Sequence, residues 1–263
     1  MIKEYVAIRK EKIRERVGKY SSTPSFTIIQ VNDDPASDSY IRGKIKDATE
    51  VGIETNLLKL PVSTTEAELF RIIDQINDDD AVHGLIVQMP LPRHINEEEV
   101  KIRINPKKDI DGFHPLSKMD PCTPKGIMNF LITMGVNLSG ANAVVIGRSN
   151  IVGKPMAKLL LRSNANTTIL HSKTSEKDMK FYLRHADIVV VAVGKSSFLN
   201  ANYKLKKSAV LLDVGINRTD AGLTGDIEPN LDVRIQTPVP GGVGLITRLT
   251  LLENLLEAYE NGI

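Results

Sequence analysis

Five short apolar runs set the frame of this chain: "SFTIIQV", "VHGLIVQ", "NAVVIG", "ADIVVVAVG" and "AVLLDVGIN". Each has the length of a buried strand, and helix-patterned stretches separate them. Strand-helix repeats of this length imply an α/β fold built on parallel sheet, because parallel neighbours need a crossover between them. Ligands of such sheets gather outside the carboxyl ends of the strands. Any residue argued to have a function is therefore sought first at those ends.

The local signals fill in the order of elements. An amphipathic helix is expected over 2–19. "NDDPAS" reads as a turn, with Ser37 or Asp38 capping a helix that runs to about residue 51. "ETNLLKLP" is a second strand. "TTEAELFRIIDQIN" is a helix opened by a Thr65–Glu68 capping box. After the strand ending at Gln88, "NEEEVKIRI" reads as a third crossover helix. "KKDIDGFHPLSKMDPCTPKG" is rich in turn residues and marks a boundary. Beyond it come a helix from about Thr123, the "NAVVIG" strand with its turn and helix, "NTTILHS" as the next strand, and the last two apolar runs. "TRLTLLENLLEAYENG" is a final amphipathic helix able to pack back across the first lobe. The expected division is 1–117 plus 248–263 for one lobe and 118–247 for the other.

Length supports two lobes, since a single core stops growing near roughly 250–300 residues and the chain has 263. A net charge of +2 with lysines, arginines and acids interleaved argues against nucleic-acid binding, which needs clustered cations. One cysteine, Cys122, excludes an internal disulfide and fits a reducing compartment. The start is charged and lacks the apolar core of a signal peptide, and no apolar run reaches the roughly 18 residues of a membrane span. A cytoplasmic protein without a membrane partner is expected.

The turn "GRSNIVG" departs from the glycine pattern of dinucleotide folds. Gly147 makes the tight turn, Ser149 stands where a second glycine is usual, and Gly153 comes one residue late. Such a turn still offers amides and a helix N-terminus to a pyrophosphate, although glycine-containing turns are often packing solutions alone. An NAD site wants an acid at the end of the second strand of that lobe. Here the chain has His171-Ser172-Lys173, and Arg148 follows Gly147. A guanidinium and a hydroxyl suit a 2′-phosphate, so NADP is the expected cofactor.

Tyr40 and Lys44 in "SYIRGK" carry the spacing of the short-chain dehydrogenase pair, but they precede the Gly147 turn by more than a hundred residues and belong to the other lobe. On a helix the spacing still puts both on one face. The alternatives are a pair facing a cleft between the lobes and a ring packed beside a snorkelling lysine. Gln88 ends a buried strand in "VQMPLP", where a neutral amide needs a reason. Asp111 stands in "KDIDG", and "TPVPGGVG" is a glycine-proline loop that lets backbone approach a ligand.

Taken together, "PAS" with "YIRGK", "HGLIVQMPLP", "KDIDGFHP", "PCTPKGI", "VVIGRSNIVGKP", "HSKT", "ADIVVVAVG", "DVGIN" and "TPVPGGVG" resemble the bifunctional methylenetetrahydrofolate dehydrogenase/methenyltetrahydrofolate cyclohydrolase family (FolD-type), in the family's order from about Pro35 to Gly244. The resemblance implies two α/β lobes around a cleft, a folate-binding catalytic lobe and a Rossmann-type NADP-binding lobe, assembled as a homodimer. It implies oxidation of 5,10-methylenetetrahydrofolate with NADP, then hydrolysis of the methenyl product to 10-formyltetrahydrofolate. Lys44 is then the general acid/base of hydrolysis, Gln88 its hydrogen-bonding partner, Tyr40 a wall of the folate site and Asp111 the holder of the pterin ring. Ser37, Val87, Met89 and the loop Pro240, Gly241, Gly242, Val243 and Gly244 are implied substrate contacts. Gly147, Arg148, Ser149, Ser172 and Ile216 are implied nucleotide contacts.

The residue chemistry agrees with that implication. Hydride loss from an N,N-methylene carbon is driven by the nitrogen lone pair, so the protein has chiefly to hold two rings together. Hydrolysis needs an activated water, and a lysine beside neutral dipoles can provide it. No metal is called for; His83, His94, His114 and His185 read as structural. The chain departs from the family in lacking its Asp-Gly-Lys stretch near the start, in a shortened 113–121 segment, and in Leu245-Ile246 where Pro-Met is usual, all at the rim of the substrate site. Two rivals stay open: a dehydrogenase with little hydrolytic activity, and a silent dinucleotide-binding protein.

Overall fold

The computed structural model describes residues 1–220 and 222–262. In chain order the elements are α1 (Ile2–Val17), β1 (Ser25–Gln30), α2 (Pro35–Glu50), β2 (Glu54–Lys59), α3 (Glu66–Asn77), β3 (Gly84–Gln88), α4 (Glu97–Arg103), α5 (Cys122–Thr133), β4 (Asn142–Ile146), α6 (Gly153–Arg162) and β5 (Asn166–Leu170). They continue with α7 (Glu176–His185), β6 (Ile188–Val191), β7 (Val210–Asp213), β8 (Asn217–Thr219), β9 (Gly222–Thr224), β10 (Ile235–Gln236) and α8 (Val243–Glu260). The chain forms two compact units. One holds Ala7–Cys122 and the chain from Arg248 on; the other holds Met1–Val6 and Thr123–Thr247. The first six residues join the latter because Tyr5 packs edge-on against Phe130, ring centroids 5.5 Å apart.

In the unit of Ala7–Cys122, three parallel strands run in the order β2-β1-β3. Ile29, Val31, Leu69, Ile73, Leu85, Val87 and Val100 form a core between sheet and helices. The cap of α2 is neither Ser37 nor Asp38. Asp34 accepts from the amides of Ala36 and Ser37, and Pro35 follows it at the first helical position, where its missing N–H costs nothing. The capping box of α3 forms as the spacing predicts, with Thr65 and Glu68 each accepting from the other's amide. At the other end of α3 a fully buried Lys108 donates to the carbonyls of Ile76 (2.9 Å) and Asp79 (2.6 Å). Burial pushes its ammonium below the usual lysine range, while the two carbonyls and the negative end of the α3 dipole retain it. After α4 no fourth strand follows; a single parallel bridge, Leu85 to Asp109, takes its place beside β3.

The part of α8 in this unit is buried on almost every side, with Leu249, Leu251, Leu252, Leu255 and Leu256 at most 1% exposed. That differs from the amphipathic helix expected from its sequence, because glutamates and an asparagine on the nominal polar face are themselves engaged. Asn254 donates to the carbonyls of Ile110 and Asp120, and Glu253 pairs with Arg9. Arg248 Nε donates to Asp47 Oδ2 at 2.7 Å, and Lys10 Nζ donates to Asp47 Oδ1 at 2.7 Å. Gly43 makes room for this contact: a Cβ there would stand 2.1 Å from Arg248 Nη1. Asp47→Ala strips Arg248 of this carboxylate and leaves Lys10 with the more exposed Glu50, so it is expected to lower stability by about 3 kcal/mol, read as the shift of a urea midpoint.

In the other unit, five parallel strands run in the order β10-β7-β6-β4-β5. From β4 the chain first steps outward to β5 and then returns to β6 on β4's other side. Right-handed crossovers in opposite directions put α6 and α7 on opposite faces of the sheet, and they leave a crevice at the carboxyl ends of β4 and β6. Three elements here lie outside the sequence expectation: α7, the β8–β9 hairpin and β10. The first had a readable signal, since Ser175 accepts from the Asp178 amide at 3.1 Å in a Ser-x-x-Asp cap. The strands β8 to β10 have three residues or fewer each, too short for a periodicity to show.

Candidate active site

The carboxyl edge of the three-stranded sheet gathers several of the residues singled out from sequence. Ser37, Tyr40 and Lys44 lie on α2 at successive spacings of three and four residues, which puts them on one face. Lys44 is 4% exposed. Its Nζ donates to Gln88 Oε1 at 3.2 Å and stands 5.1 Å from the centre of the Tyr40 ring. Gln88 is oriented for this, because its Nε2 donates to the carbonyl of Met89 at 2.8 Å and leaves Oε1 towards the lysine. Among the described residues no carboxylate is ion-paired with Lys44, in contrast to Lys10 and Lys101. The buried amine is therefore surrounded by an amide dipole and a π face rather than by a counter-charge.

The reason for an amide at the end of a buried strand differs between neighbours. Gln30 is paired with Gln88 across β1 and β3, is 1% exposed, and escaped the sequence reading. Its Nε2 donates to Asp38 Oδ1 at 2.7 Å and to the Asn32 carbonyl, so it fixes the first turn of α2. Ser37 is buried and its hydroxyl donates to Asp34 at 3.4 Å, which places it in the cap rather than free of it. Val87 is buried in the strand, and Met89 is half-buried beyond it.

Asp111 is half-buried, two residues past the bridge to β3, and so lies at the same sheet edge as Gln88. The turn that carries it is shaped by Asp109, which is 2% exposed and accepts from the amides of Gly112 (3.1 Å) and His114 (2.8 Å). Burial pushes the Asp109 carboxyl up to about 6, with the Asp111 charge adding to the rise. A group raised in the folded state binds its proton more tightly there than in the unfolded chain. Its contribution to stability is therefore fully present below about pH 4 and is lost as pH rises through about 6. The cost of Asp109→Asn should accordingly be larger at pH 4 than at pH 7, by on the order of 2 kcal/mol in matched denaturant melts.

The carboxyl edge of the five-stranded sheet gathers the second set. Gly147 follows β4 at φ 122°, and a Cβ on it would lie 2.3 Å from the carbonyl of Ala192. A Cβ on Gly153 would lie 2.4 Å from the carbonyl of Gly147. Both glycines are thus required by close packing of the turn on β6 and on itself. The Ser149 hydroxyl accepts from the amides of Val152 (3.2 Å) and Gly153 (3.3 Å) and closes the start of α6. Arg148, Ser172 and Lys173 are exposed after β4 and β5, and Ile216 is exposed after β7. No acid ends β5; His171 there accepts from the Lys173 amide. Pro240 and Gly241 precede α8, and Gly242 is packed against the Pro238 carbonyl. Val243 and Gly244 form the first turn of α8 rather than loop.

His83, His94, His114 and His185 each meet a backbone group, respectively the Ser25 amide and the carbonyls of Thr64, Ile102 and Phe181. Among the described residues no group of three His, Cys, Asp or Glu side chains is placed to hold a metal ion, and no helix is long and apolar enough to cross a membrane.

Comparison with known proteins places both units. Residues 2–111 match the family described as tetrahydrofolate dehydrogenase/cyclohydrolase, catalytic domain, and residues 121–262 match its NAD(P)-binding domain. The chain is 45% identical to the bifunctional protein FolD of Ligilactobacillus salivarius, over 96% of this chain and 95% of that one. The fold is similar to the crystal structure of the bifunctional FolD methylenetetrahydrofolate dehydrogenase/cyclohydrolase of Campylobacter jejuni, with a TM-score of 0.94, 38% identity and coverage of 100% of this chain and 98% of that one. It is also similar to the Trypanosoma brucei N5,N10-methylenetetrahydrofolate dehydrogenase-cyclohydrolase complexed with NADP and inhibitor, with a TM-score of 0.92, 30% identity and coverage of 98% and 95%.

Proposed function

The chain belongs to the tetrahydrofolate dehydrogenase/cyclohydrolase family, and from that premise we propose that it oxidises 5,10-methylenetetrahydrofolate to the methenyl compound with NADP and hydrolyses that product to 10-formyltetrahydrofolate. The observation that carries the reading is the buried Lys44, hydrogen-bonded to Gln88 and set over Tyr40, with no carboxylate partner among the described residues. That environment suits a group that must both take and give a proton. Lys44 takes a proton from the water that attacks the methenyl carbon and returns one to the departing ring nitrogen. Gln88 holds Nζ in place, and the Tyr40 ring lines the pocket for the pterin. Asp111 accepts the paired N–H donors of that ring as a carboxylate. Ser37, Val87 and Met89 line the same sheet edge.

The residues at the carboxyl edge of the five-stranded sheet fit a dinucleotide. Gly147 and Ser149 shape the turn, Ser172 and Ile216 flank the crevice, and exposed Arg148 with Ser172 offers a guanidinium and a hydroxyl where an NAD site would need an acid. Bound NADP supplies the hydride acceptor. Arg148→Ala is expected to raise KM for NADP about tenfold while leaving KM for NAD unchanged, the size of one lost charge-assisted contact. Equal or better turnover of the parent protein with NAD would overturn the NADP assignment.

The reading is tested by mixing protein, NADP and methylenetetrahydrofolate and following methenyl absorbance. A rise followed by catalysed decay is expected. A rise without catalysed decay selects a dehydrogenase alone, and no rise selects a binding protein. A homodimer of cytoplasmic location belongs to the same reading. Exposed Leu161, Ile169 and Tyr182 on α6, the edge strand β5 and α7 are apolar surface suited to a second copy. Light scattering at the monomer mass across micromolar concentrations would remove the dimer.

A further inference from the structure

Two buried carboxylates in the unit of Thr123–Thr247 take no part in the chemistry above. Asp226 is 0% exposed and Asp213 is 3% exposed. Among the described residues neither is paired with a cation, although an isolated buried charge is costly. Both are satisfied by donors from loops at the carboxyl ends of the strands. Asp226 Oδ2 accepts from the amides of Val193 (2.7 Å) and Gly194 (2.9 Å), and its Oδ1 accepts from the Lys195 amide (2.8 Å) and from Asn217 Nδ2 (2.9 Å). Three successive amides around a positive-φ glycine, Gly194 at 66°, form a nest that holds an anion. Asp213, the last residue of β7, accepts from the amides of Gly215 (3.0 Å), Asp226 (2.9 Å) and Ile227 (2.9 Å).

Two glycines are shaped around these carboxylates. A Cβ on Gly215 would stand 2.1 Å from Asp226 Oδ1, and one on Gly225 would stand 1.9 Å from Asp213 Oδ2. The loop after β6 borders the β4/β6 crevice, and the loop after β7 carries the exposed Ile216. We propose that Asp226, held from behind by Asp213, is a positioning residue for the dinucleotide: it locks the 193–195 loop to the 215–217 loop and so sets the shape of one wall of the cofactor crevice. The nest already holds a carboxylate, so the β6 loop gives no amides to the cofactor's phosphates, which are left to the turn between β4 and α6. Asp226 touches neither cofactor nor substrate; it acts through the two loops.

The inference rests on the NADP-dependent reading, and one set of assays separates the two. The parent protein is first assayed for NADP reduction with methylenetetrahydrofolate; no reduction would overturn that reading and this inference with it. Asp226→Asn turns an amide N–H towards loop amides, and it is expected to raise KM for NADP about tenfold or more, the loss of at least one charge-assisted hydrogen bond. The kcat at saturating NADP should stay within about threefold, because the reacting groups are untouched. Hydrolysis of methenyltetrahydrofolate supplied without NADP should not change. Asn217→Ala removes one donor from the same carboxylate without adding bulk and should raise the same KM with little change in melting temperature, so the test survives if Asp226→Asn does not fold. An unchanged KM in folded variants overturns the inference, as does a fall in both activities in step with the melting temperature, which is what a merely structural carboxylate would produce.

Discussion

Replacing Lys44 with methionine is expected to slow methenyltetrahydrofolate hydrolysis by about 10²–10⁴-fold, the usual worth of a positioned acid/base, while methylenetetrahydrofolate oxidation remains measurable. The asymmetry follows from the chemistry of the two steps. Oxidation is driven by a nitrogen lone pair and needs the rings held, whereas hydrolysis needs a proton moved twice. Methionine keeps the length and much of the volume of the lysine stem, so the α2 face and the Tyr40 contact keep their packing. Gln88 Oε1 loses its donor, an amide acceptor that nearby water can satisfy. Single-turnover decay of methenyl absorbance measures the effect. Decay at the parent rate would remove Lys44 from the mechanism.

Replacing Gly147 with valine is expected to give the opposite pattern, with NADP reduction lost and hydrolysis of supplied methenyltetrahydrofolate retained. Two costs combine at this position. A β-branched residue is strained at φ 122°, by about 1–3 kcal/mol, and its Cβ would meet the Ala192 carbonyl at 2.3 Å, a backbone atom just past the end of β6 rather than a flexible side-chain end. The turn must move away from β6, and with it Arg148, Ser149 and the start of α6. The two rates in one preparation report the result: parallel loss of both would mean that the whole chain, and not the turn, depends on Gly147.

The pattern of apolar runs was enough to identify parallel α/β architecture, since only crossovers join strands so spaced. It also identified the face of α2, because spacing of four residues on a helix has one meaning. Local chemistry announced the Thr65–Glu68 capping box completely, as both partners lie within one turn. The cap of α2 was misread by a few residues because Asp34, Ser37 and Asp38 all carry suitable oxygens, and only the backbone course chooses among them. Helix α7 carries a local signal in the Ser175 cap and buries Met179 and Leu183 on one face. The short strands β8 to β10 had no periodicity to read.

Other features were decided by the tertiary structure, for a common reason: they depend on which groups lose water together. Gln30 and Gln88 are equivalent in sequence terms, as amides at strand ends, yet packing aims one at the α2 cap and the other at Lys44. Asp47, Asp213 and Asp226 look like surface acids in the chain and become buried, the first between two cations and the other two among backbone amides. Helix α8 reads as amphipathic until its polar side chains find partners far away in sequence. The sequence by itself determined the fold class and the family, because periodicity and side-chain type are local properties. Which amine sits beside which amide, and which loops a buried carboxylate ties together, was decided by the folded chain alone, because desolvation and hydrogen-bond satisfaction are settled among residues that the sequence keeps apart.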